Sequence, residues 1–99
     1  MAKVIEQKYP NGQLHFRATY ANHELSGPYE EWYENGQLKS RCNFENDKED
    51  GMFEHFNEEG KLCFRLNYKV GVLDGLCEYF DENGKLEERI NYKYGMPID

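Results

Sequence analysis

Glycine recurs along this chain at intervals of 24 residues, in two separate series. The first series is Gly27, Gly51 and Gly75, and the second is Gly12, Gly36, Gly60 and Gly84. A period of this length indicates a repeat protein, in which each unit is one supersecondary element stacked on its neighbours. We therefore interpret residues 1–99 as one repeat domain, with units at 3–26, 27–50, 51–74 and 75–99.

Other residue types keep the same period, which argues against coincidence. Each unit carries a glutamate before its glycine of the second series, and then a leucine, an arginine and an aromatic residue after that glycine. The glutamates are Glu6, Glu30, Glu54 and Glu78, and the arginines are Arg17, Arg41, Arg65 and Arg89. The leucines are Leu14, Leu38, Leu62 and Leu86, and the aromatic residues are Tyr20, Phe44, Tyr68 and Tyr92.

An Asn-Gly pair in three of the units predicts a β-hairpin in each, and the third unit has Glu59-Gly60 in its place. Asn-Gly favours a two-residue type I′ turn, which needs positive φ at both residues. Counting outward from such a turn places each recurring glutamate opposite the arginine of its own unit. It also places Gly27, Gly51 and Gly75 opposite an aromatic ring, which can cover a glycine on the next strand.

Opposite charges across a β-ladder stabilise a sheet by about 0.2–1 kcal/mol per pair. We therefore predict structural roles for the paired charges and for the turn glycines. These residues are Glu30, Arg41, Glu54, Arg65, Glu78, Arg89, Gly36, Gly60 and Gly84.

A second set of short polar reversals joins one unit to the next, in the stretches YANHELSG, FENDKEDG and YKVGVLDG. Hairpins joined by such reversals predict an all-β fold: a single-layer, twisted antiparallel meander of β-hairpin repeats with about eight strands. Alternation along the strands assigns the recurring leucines and most other apolar residues to one face, the core face. The glutamates and arginines lie on the other face.

The charged face also carries a stripe of aromatic residues, which we interpret as a partner-binding patch. The candidate partner-binding residues are Trp32, Phe56, Phe80, Met52, Glu49, Asp50, Glu58 and Glu59. Two structural alternatives stay open at this point: the rings could stack on each other to shield the charges, and the acidic residues in turns could only face water.

The formal net charge of −7 disfavours direct binding to nucleic acid and to anionic lipid surfaces, and it favours a protein partner with a basic surface. The charge could equally serve solubility alone. The sequence has no apolar run of about 18 residues that could span a membrane. The first ten residues lack the pattern of a signal peptide, so we expect a cytoplasmic location.

No catalytic or metal site is expected. The three cysteines, Cys42, Cys63 and Cys77, contain no CxxC pair, and His15, His23 and His55 have no ligand spacing with them. Each recurring glutamate has an arginine that should keep it ionised. No nucleophile motif or phosphate-binding loop is present, so we expect neither enzymatic activity nor a cofactor.

The stretch GPYEEWYENGQLKSRCNFENDKEDG and its two successors resemble MORN repeats (membrane occupation and recognition nexus). They are most similar to the bacterial variant with a W-x-Y-x-NG-x-L core, found in YwqK-type antitoxins. Unit one departs from the pattern at Lys3 and Lys8. The resemblance implies a twisted sheet that binds partners and performs no known chemistry. The antitoxin type implies neutralisation of a toxin by direct contact, and eukaryotic relatives are linked to phospholipids and scaffolding.

These observations predict a non-enzymatic protein-binding module, an acidic inhibitor of the antitoxin or immunity type that occludes a basic toxin or nuclease. Two alternatives remain. One is a phage-type inhibitor of a nucleic-acid-guided defence nuclease. The other is a structural scaffold that self-associates through its sheet edges, although lysines on both outer strands guard against edge pairing.

Overall fold

The computed structural model describes residues 2–98, which form one antiparallel β-sheet. The strands follow each other across the sheet in sequence order. They are β1 (Ala2–Lys8), β2 (Leu14–Ala21), β3 (Glu24–Trp32), β4 (Leu38–Glu45), β5 (Lys48–Glu49), β6 (Gly51–Phe56), β7 (Leu62–Lys69), β8 (Val72–Leu73), β9 (Gly75–Phe80), β10 (Leu86–Lys93) and β11 (Met96–Ile98). The predicted all-β meander is confirmed. The strand number exceeds eight because Asp50 and Asp74 interrupt two strands, and because β11 adds a short ninth line to the sheet.

The sheet is one layer thick, with extents of 44 × 35 × 12 Å. Among the described residues, Ala18 and Cys77 are the fully buried apolar ones, at 1% and 0% exposure. The rings of the predicted core face contact each other along the sheet and remain half-buried, because no second layer covers them. We call this the aromatic face; it is formed by Phe16, Tyr29, Phe44, Phe53, Phe64, Tyr68 and Tyr79.

The predicted register is confirmed in all four hairpins. Each recurring glutamate pairs with its arginine, in the pairs Glu6–Arg17, Glu30–Arg41, Glu54–Arg65 and Glu78–Arg89. The glycines also pair as predicted, Gly27 with Phe44, Gly51 with Tyr68 and Gly75 with Tyr92.

The backbone gives these glycines a further reason. All three have positive φ, a conformation that disfavours other residues. A Cβ on Gly27 would also lie 2.9 Å from Cγ2 of Thr19 in the preceding hairpin.

The predicted type I′ conformation of the Asn-Gly turns is wrong. Gly12 has positive φ (88°), whereas Asn11 does not, and the Gly12 amide donates a hydrogen bond to the Tyr9 carbonyl at 2.9 Å. The Tyr9 amide donates in turn to the Gln13 carbonyl at 2.8 Å. This is the three-residue hairpin loop, in which a left-handed glycine follows a tight turn. The other Asn-Gly turns share this pattern.

A β-bulge after each turn restores the register that the extra loop residue would shift. The pairing skips one residue in the second strand of every hairpin, at His15, Lys39, Cys63 and Glu87. A bulge places two residues opposite one and breaks the alternation of faces. The outer pairs are therefore where the shorter turn would place them.

The same bulge corrects the predicted position of the recurring leucines. Leu38 pairs with Trp32, Leu62 with Phe56, and Leu86 with Phe80. Directly paired residues share a face of the sheet. These leucines therefore lie on the charged face, and not on the aromatic face to which simple alternation assigned them.

Type I′ geometry occurs instead at the opposite ends of the strands, in the turns that join one hairpin to the next. Asn22-His23 and Asn46-Asp47 have positive φ at both residues. Val70-Gly71 and Tyr94-Gly95 adopt the same conformation. Each turn connects directly paired residues, such as Glu45 and Lys48. The predicted hairpin reversals between units are thus present.

Candidate binding surface

The four glutamates and four arginines form one row of alternating charges across the sheet. Pairs within hairpins alternate with pairs between hairpins, such as Arg17–Glu30 and Arg65–Glu78. The ion-pair distances are 3.5 Å for Glu6–Arg17, 3.2 Å for Arg17–Glu30, 2.7 Å for Arg41–Glu54, 2.9 Å for Glu54–Arg65, and 3.5 Å for Arg65–Glu78 and Glu78–Arg89. We call this side of the sheet the ladder face.

Glu54 lies at the centre of the row and is 5% exposed. Arg41 Nε donates to Oε1 at 2.7 Å, and Arg65 Nε donates to Oε2 at 2.9 Å. Burial raises the pKa of the Glu54 carboxyl, but the hydrogen bonds and charges of both arginines outweigh it and lower the pKa below the ordinary 4.5. Glu54 is therefore held ionised, as the sequence predicted.

Arg17 is held differently. Its Nε approaches Glu30 Oε1 at 3.2 Å without forming a well-directed hydrogen bond. The contact is consequently ionic and weaker than those around Glu54.

One step of the row is open. Glu30 and Arg41 pair through their backbones, yet no ion pair joins their side chains in the part of the chain that the structure describes. Arg41 turns toward Glu54 instead, and its side chain is 57% exposed. Part of this guanidinium therefore remains available to another molecule, as does the part of the Glu30 carboxylate that Arg17 does not contact.

A shallow groove of about 440 Å³ lies over this open step. Glu30, Arg41 and Glu54 line it, together with Asp50, Met52, Pro28 and Asn43. The groove combines an incompletely paired cation, carboxylates and an exposed apolar residue. Such a combination can accept a polypeptide segment with mixed polar and apolar contacts.

Two apolar lines flank the charged row on the ladder face. The inner line, near the Asn-Gly turns, contains the half-buried Trp32, Phe56 and Phe80 with their paired leucines. The Arg17 guanidinium lies 5.2 Å from the Trp32 ring centre, and that of Arg41 lies 5.8 Å from the Phe56 ring centre. Both rings therefore also support the row, as cation–π partners.

The outer line is the more exposed one. It contains Pro28, Met52 and Leu76 at equivalent positions of successive hairpins, with Met52 49% and Leu76 40% exposed. The sequence places all three residues beside the aromatic stripe, but of the three only Met52 is among the candidate partner-binding residues predicted from it. The 24-residue spacing of the three residues was the available indication.

The acidic candidates do not lie together. Asp50 lines the groove. Glu58 and Glu59 lie in the exposed turn of the third hairpin, at one edge of the sheet. Glu49 pairs with Phe44, so it lies on the aromatic face, where its charge helps to raise the pKa values of Cys42 and Tyr68. A partner on the ladder face would contact Asp50 and not Glu49.

The pKa values of two groups on the aromatic face, Cys42 and His55, are shifted toward the neutral forms. Burial and the Glu49 charge raise the pKa of the Cys42 thiol to about 12. Burial and the nearby Lys39 lower the pKa of His55. At neutral pH this thiol is protonated and is a poor nucleophile.

No cluster of three or more potential metal-ligating side chains is found within residues 2–98. No helix with the length and apolar character of a membrane span occurs in the same range.

The sequence matches the model of one protein family, described as MORN repeat variant, in four stretches: residues 4–22, 25–46, 49–69 and 73–94. No curated protein matches the sequence closely enough to be counted as a relative.

Two solved structures are similar in backbone. A TarM point mutant from S. aureus, in complex with fondaparinux, α-GlcNAc-glycerol and UDP, matches with a TM-score of 0.51 and 16% identity, over 89% of this chain and 19% of that one. A second TarM crystal structure has a TM-score of 0.49 and 16% identity over the same shares. This chain thus spans 19% of the TarM length, and at this identity the first likeness concerns the fold alone.

The four family matches, the 24-residue register and the row of hairpins agree with one another. The chain belongs to the MORN repeat variant family, whose repeats generally serve as modules that bind proteins or membranes.

Proposed function

We propose that this chain is a protein-binding module without enzymatic activity, and that its partner covers the ladder face. The observation that carries this proposal is the groove over the open Glu30–Arg41 step, bordered by exposed Met52. Exposed apolar residues beside incompletely paired charges are typical of the centre and rim of a protein interface. The thin sheet gives a partner access to this surface along its full length.

The proposed partner has a basic surface, such as that of a toxin or nuclease. The net charge of −7 favours encounter with a positive protein. Glu30 and Asp50 would meet its lysines or arginines, while Met52 and Leu76 pack against apolar parts of the same surface. In a nuclease, these carboxylates would occupy the place of substrate phosphates. This is the action of an antitoxin or immunity-type inhibitor, in the cytoplasm.

An inhibitor of a nucleic-acid-guided defence nuclease, of phage type, is the closest alternative. It would use the same carboxylates against the same kind of basic groove, so the identity of the captured partner separates the two. Direct binding of nucleic acid to this acidic sheet is disfavoured by charge, and binding to an anionic lipid surface is disfavoured for the same reason.

The test is capture of the partner from the native cell, identification by mass spectrometry, and calorimetry on the purified pair. We expect Met52→Ser combined with Leu76→Ser to weaken binding at least about tenfold, because two apolar contacts are lost. Met52 and Leu76 suit this test better than Trp32 and Phe56, whose rings also support the arginines. Affinity should also fall as salt is raised.

The matched control is Ile5→Ser, on the opposite face. Ile5 is 39% exposed, close to the 40% of Leu76, and it pairs with Ala18 on the aromatic side. This variant should bind like the wild type. Loss of binding in Ile5→Ser, with none in the double variant, would move the interface to the aromatic face. Capture of an acidic partner would contradict the charge argument.

A structural scaffold is the second candidate, and the ends of the charged row favour it. Glu6 lies on the edge strand β1, and Arg89 lies on β10 near the other edge, so the row ends in opposite charges. A second copy aligned head to tail could continue the alternation through Glu6 and Arg89.

Sedimentation over a range of concentrations tests this arrangement. Self-association should weaken in Glu6→Arg and return in Glu6→Arg combined with Arg89→Glu. A monomer at every concentration would exclude the scaffold.

A further inference from the structure

We infer that Asn83 is a site of spontaneous deamidation in the folded protein, whereas Asn11 and Asn35, in the same Asn-Gly dipeptide, are protected. In this reaction the glycine backbone nitrogen attacks the asparagine Cγ and forms a C–N bond. The side-chain nitrogen leaves as ammonia, which gives a cyclic succinimide. Water then opens the ring to aspartate or isoaspartate, so no other reactant is needed.

The glycine nitrogen is held equally in all three turns, so it does not distinguish them. Its N–H donates to the backbone carbonyl three residues earlier, at 2.9 Å in the first turn, 3.0 Å in the second and 2.9 Å in the fourth. All three asparagines are exposed to water. A difference in rate must therefore come from the asparagine side chains.

In the first two turns the carboxamide is fixed at both ends. Asn11 Oδ1 accepts from the Gln13 amide at 2.9 Å, and its Nδ2 donates to the Glu34 carbonyl of the next turn at 3.1 Å. Asn35 repeats the arrangement with the Gln37 amide at 2.9 Å and the Glu58 carbonyl at 3.0 Å. Rotation of Cγ toward the glycine nitrogen would break both bonds.

The fourth turn is built differently because Asp81 replaces the tyrosine of the first two units. Asp81 Oδ1 accepts from the amides of both Asn83 and Lys85, at 2.9 Å each. The Lys85 amide is the equivalent of the one that fixes Asn11 and Asn35, and here it is already occupied.

The Asn83 carboxamide has no hydrogen bond to any residue from 2 to 98. The preceding hairpin contacts the backbone of this turn, where Lys61 Nζ donates to the Glu82 carbonyl at 3.5 Å, and not the Asn83 side chain. The side chain can therefore turn to bring Cγ to the Gly84 nitrogen. The product adds a negative charge beside Glu82, at the edge of the sheet.

The experiment is incubation of the intact protein at neutral and mildly alkaline pH, followed by digestion and mass spectrometry of the three Asn-Gly peptides. Asn83 should convert about tenfold faster than Asn11 or Asn35, the ratio expected when two hydrogen bonds must open first. The same incubation in denaturing urea is the control, where the three rates should converge.

Equal rates in the folded protein would overturn the inference. So would a ratio that persists unchanged in urea, because it would then come from the neighbouring residues and not from the fold. An Asn83→Asp variant gives the retention time of the product and confirms the assignment of the modified peptide.

Discussion

At the scale of single residues, Glu54 shows how a charge is kept inside a sheet that has almost no interior. It lies where two hairpins meet, so it receives one arginine from its own hairpin and one from the preceding hairpin. Glu6, at the end of the row, lacks this double pairing: it contacts a single arginine at 3.5 Å and is 48% exposed. Glutamates at equivalent positions of the repeat thus contribute differently to the stability of the fold, because of their place in the row.

Glu54→Gln should reduce the free energy of unfolding by about 2 kcal/mol, because two charge-assisted hydrogen bonds are lost at a buried site. Glu6→Gln is the matched control at the exposed end of the row and should change stability by less than about 0.5 kcal/mol. Urea unfolding of both variants measures the difference. Equal losses would show that burial of Glu54 has no energetic consequence.

The lowered pKa of Glu54 predicts the direction of the pH dependence. A carboxyl whose pKa is lower in the folded state adds stability above its ordinary pKa of 4.5. That stability is lost as the pH falls from this value through the folded pKa, where the proton binds. The difference in urea midpoint between wild type and Glu54→Gln should therefore shrink in acid. A difference that stays constant with pH would contradict the assignment.

At the scale of elements, the strands are joined by different turns at their two ends. The turns within hairpins are three-residue loops with a following bulge, and the turns between hairpins are two-residue type I′ turns. Position one of the type I′ turns is Asn22, Asn46, Val70 and Tyr94 in successive units. Asparagine tolerates the left-handed conformation, whereas a β-branched residue is strained there. Val70, with φ 48°, is the strained member.

Val70→Asn should stabilise the protein by about 1 kcal/mol, because it puts at this turn the residue that the first two units use. Val72→Asn is the control: it changes an exposed valine two residues away, in strand β8, where β-branched residues are preferred. The urea midpoint should rise for the first variant and not for the second. A fall in both would mean that the Val70 side chain makes contacts that outweigh the strain.

At the scale of the whole molecule, the single layer makes stability depend on neighbours along the sheet. Each hairpin packs against the hairpins on its two sides, and the outer strands have a neighbour on one side only. All seven residues of β1 are exposed, and β10 is largely exposed, whereas β7 is half-buried along most of its length. Repeat arrays of this kind open from their ends.

Amide hydrogen exchange should therefore be slowest in β4, β6 and β7 and fastest in β1, β10 and β11. Exchange followed by mass spectrometry on overlapping peptides gives this profile along the chain. Uniform protection would indicate a single cooperative unit and would contradict the graded opening expected of a repeat array.

Much of the architecture could be predicted from the periodicity of the sequence, because a 24-residue repeat brings like residues into line wherever the hairpin turn lies. The Glu–Arg pairs and the glycine pairs were correct for this reason. The turn conformation and the leucine face were not, since a loop that is longer by one residue and a bulge compensate each other in the outer register. Counting residues outward from the turn therefore cannot reveal the local backbone geometry.

The candidate site depended more strongly on tertiary structure. The sequence by itself determined the repeat, the sheet, the acid–base row and the acidic character of the surface, because all of these follow from spacing and composition. Only the tertiary structure decided that the Arg41 side chain pairs with Glu54 and not with Glu30, and that Asp50 and Glu49 lie on opposite faces. The same is true of Asn83, which lacks the hydrogen bonds that fix Asn11 and Asn35. These features depend on which neighbour a side chain reaches in three dimensions, and in a strict repeat every neighbour looks equivalent in the sequence.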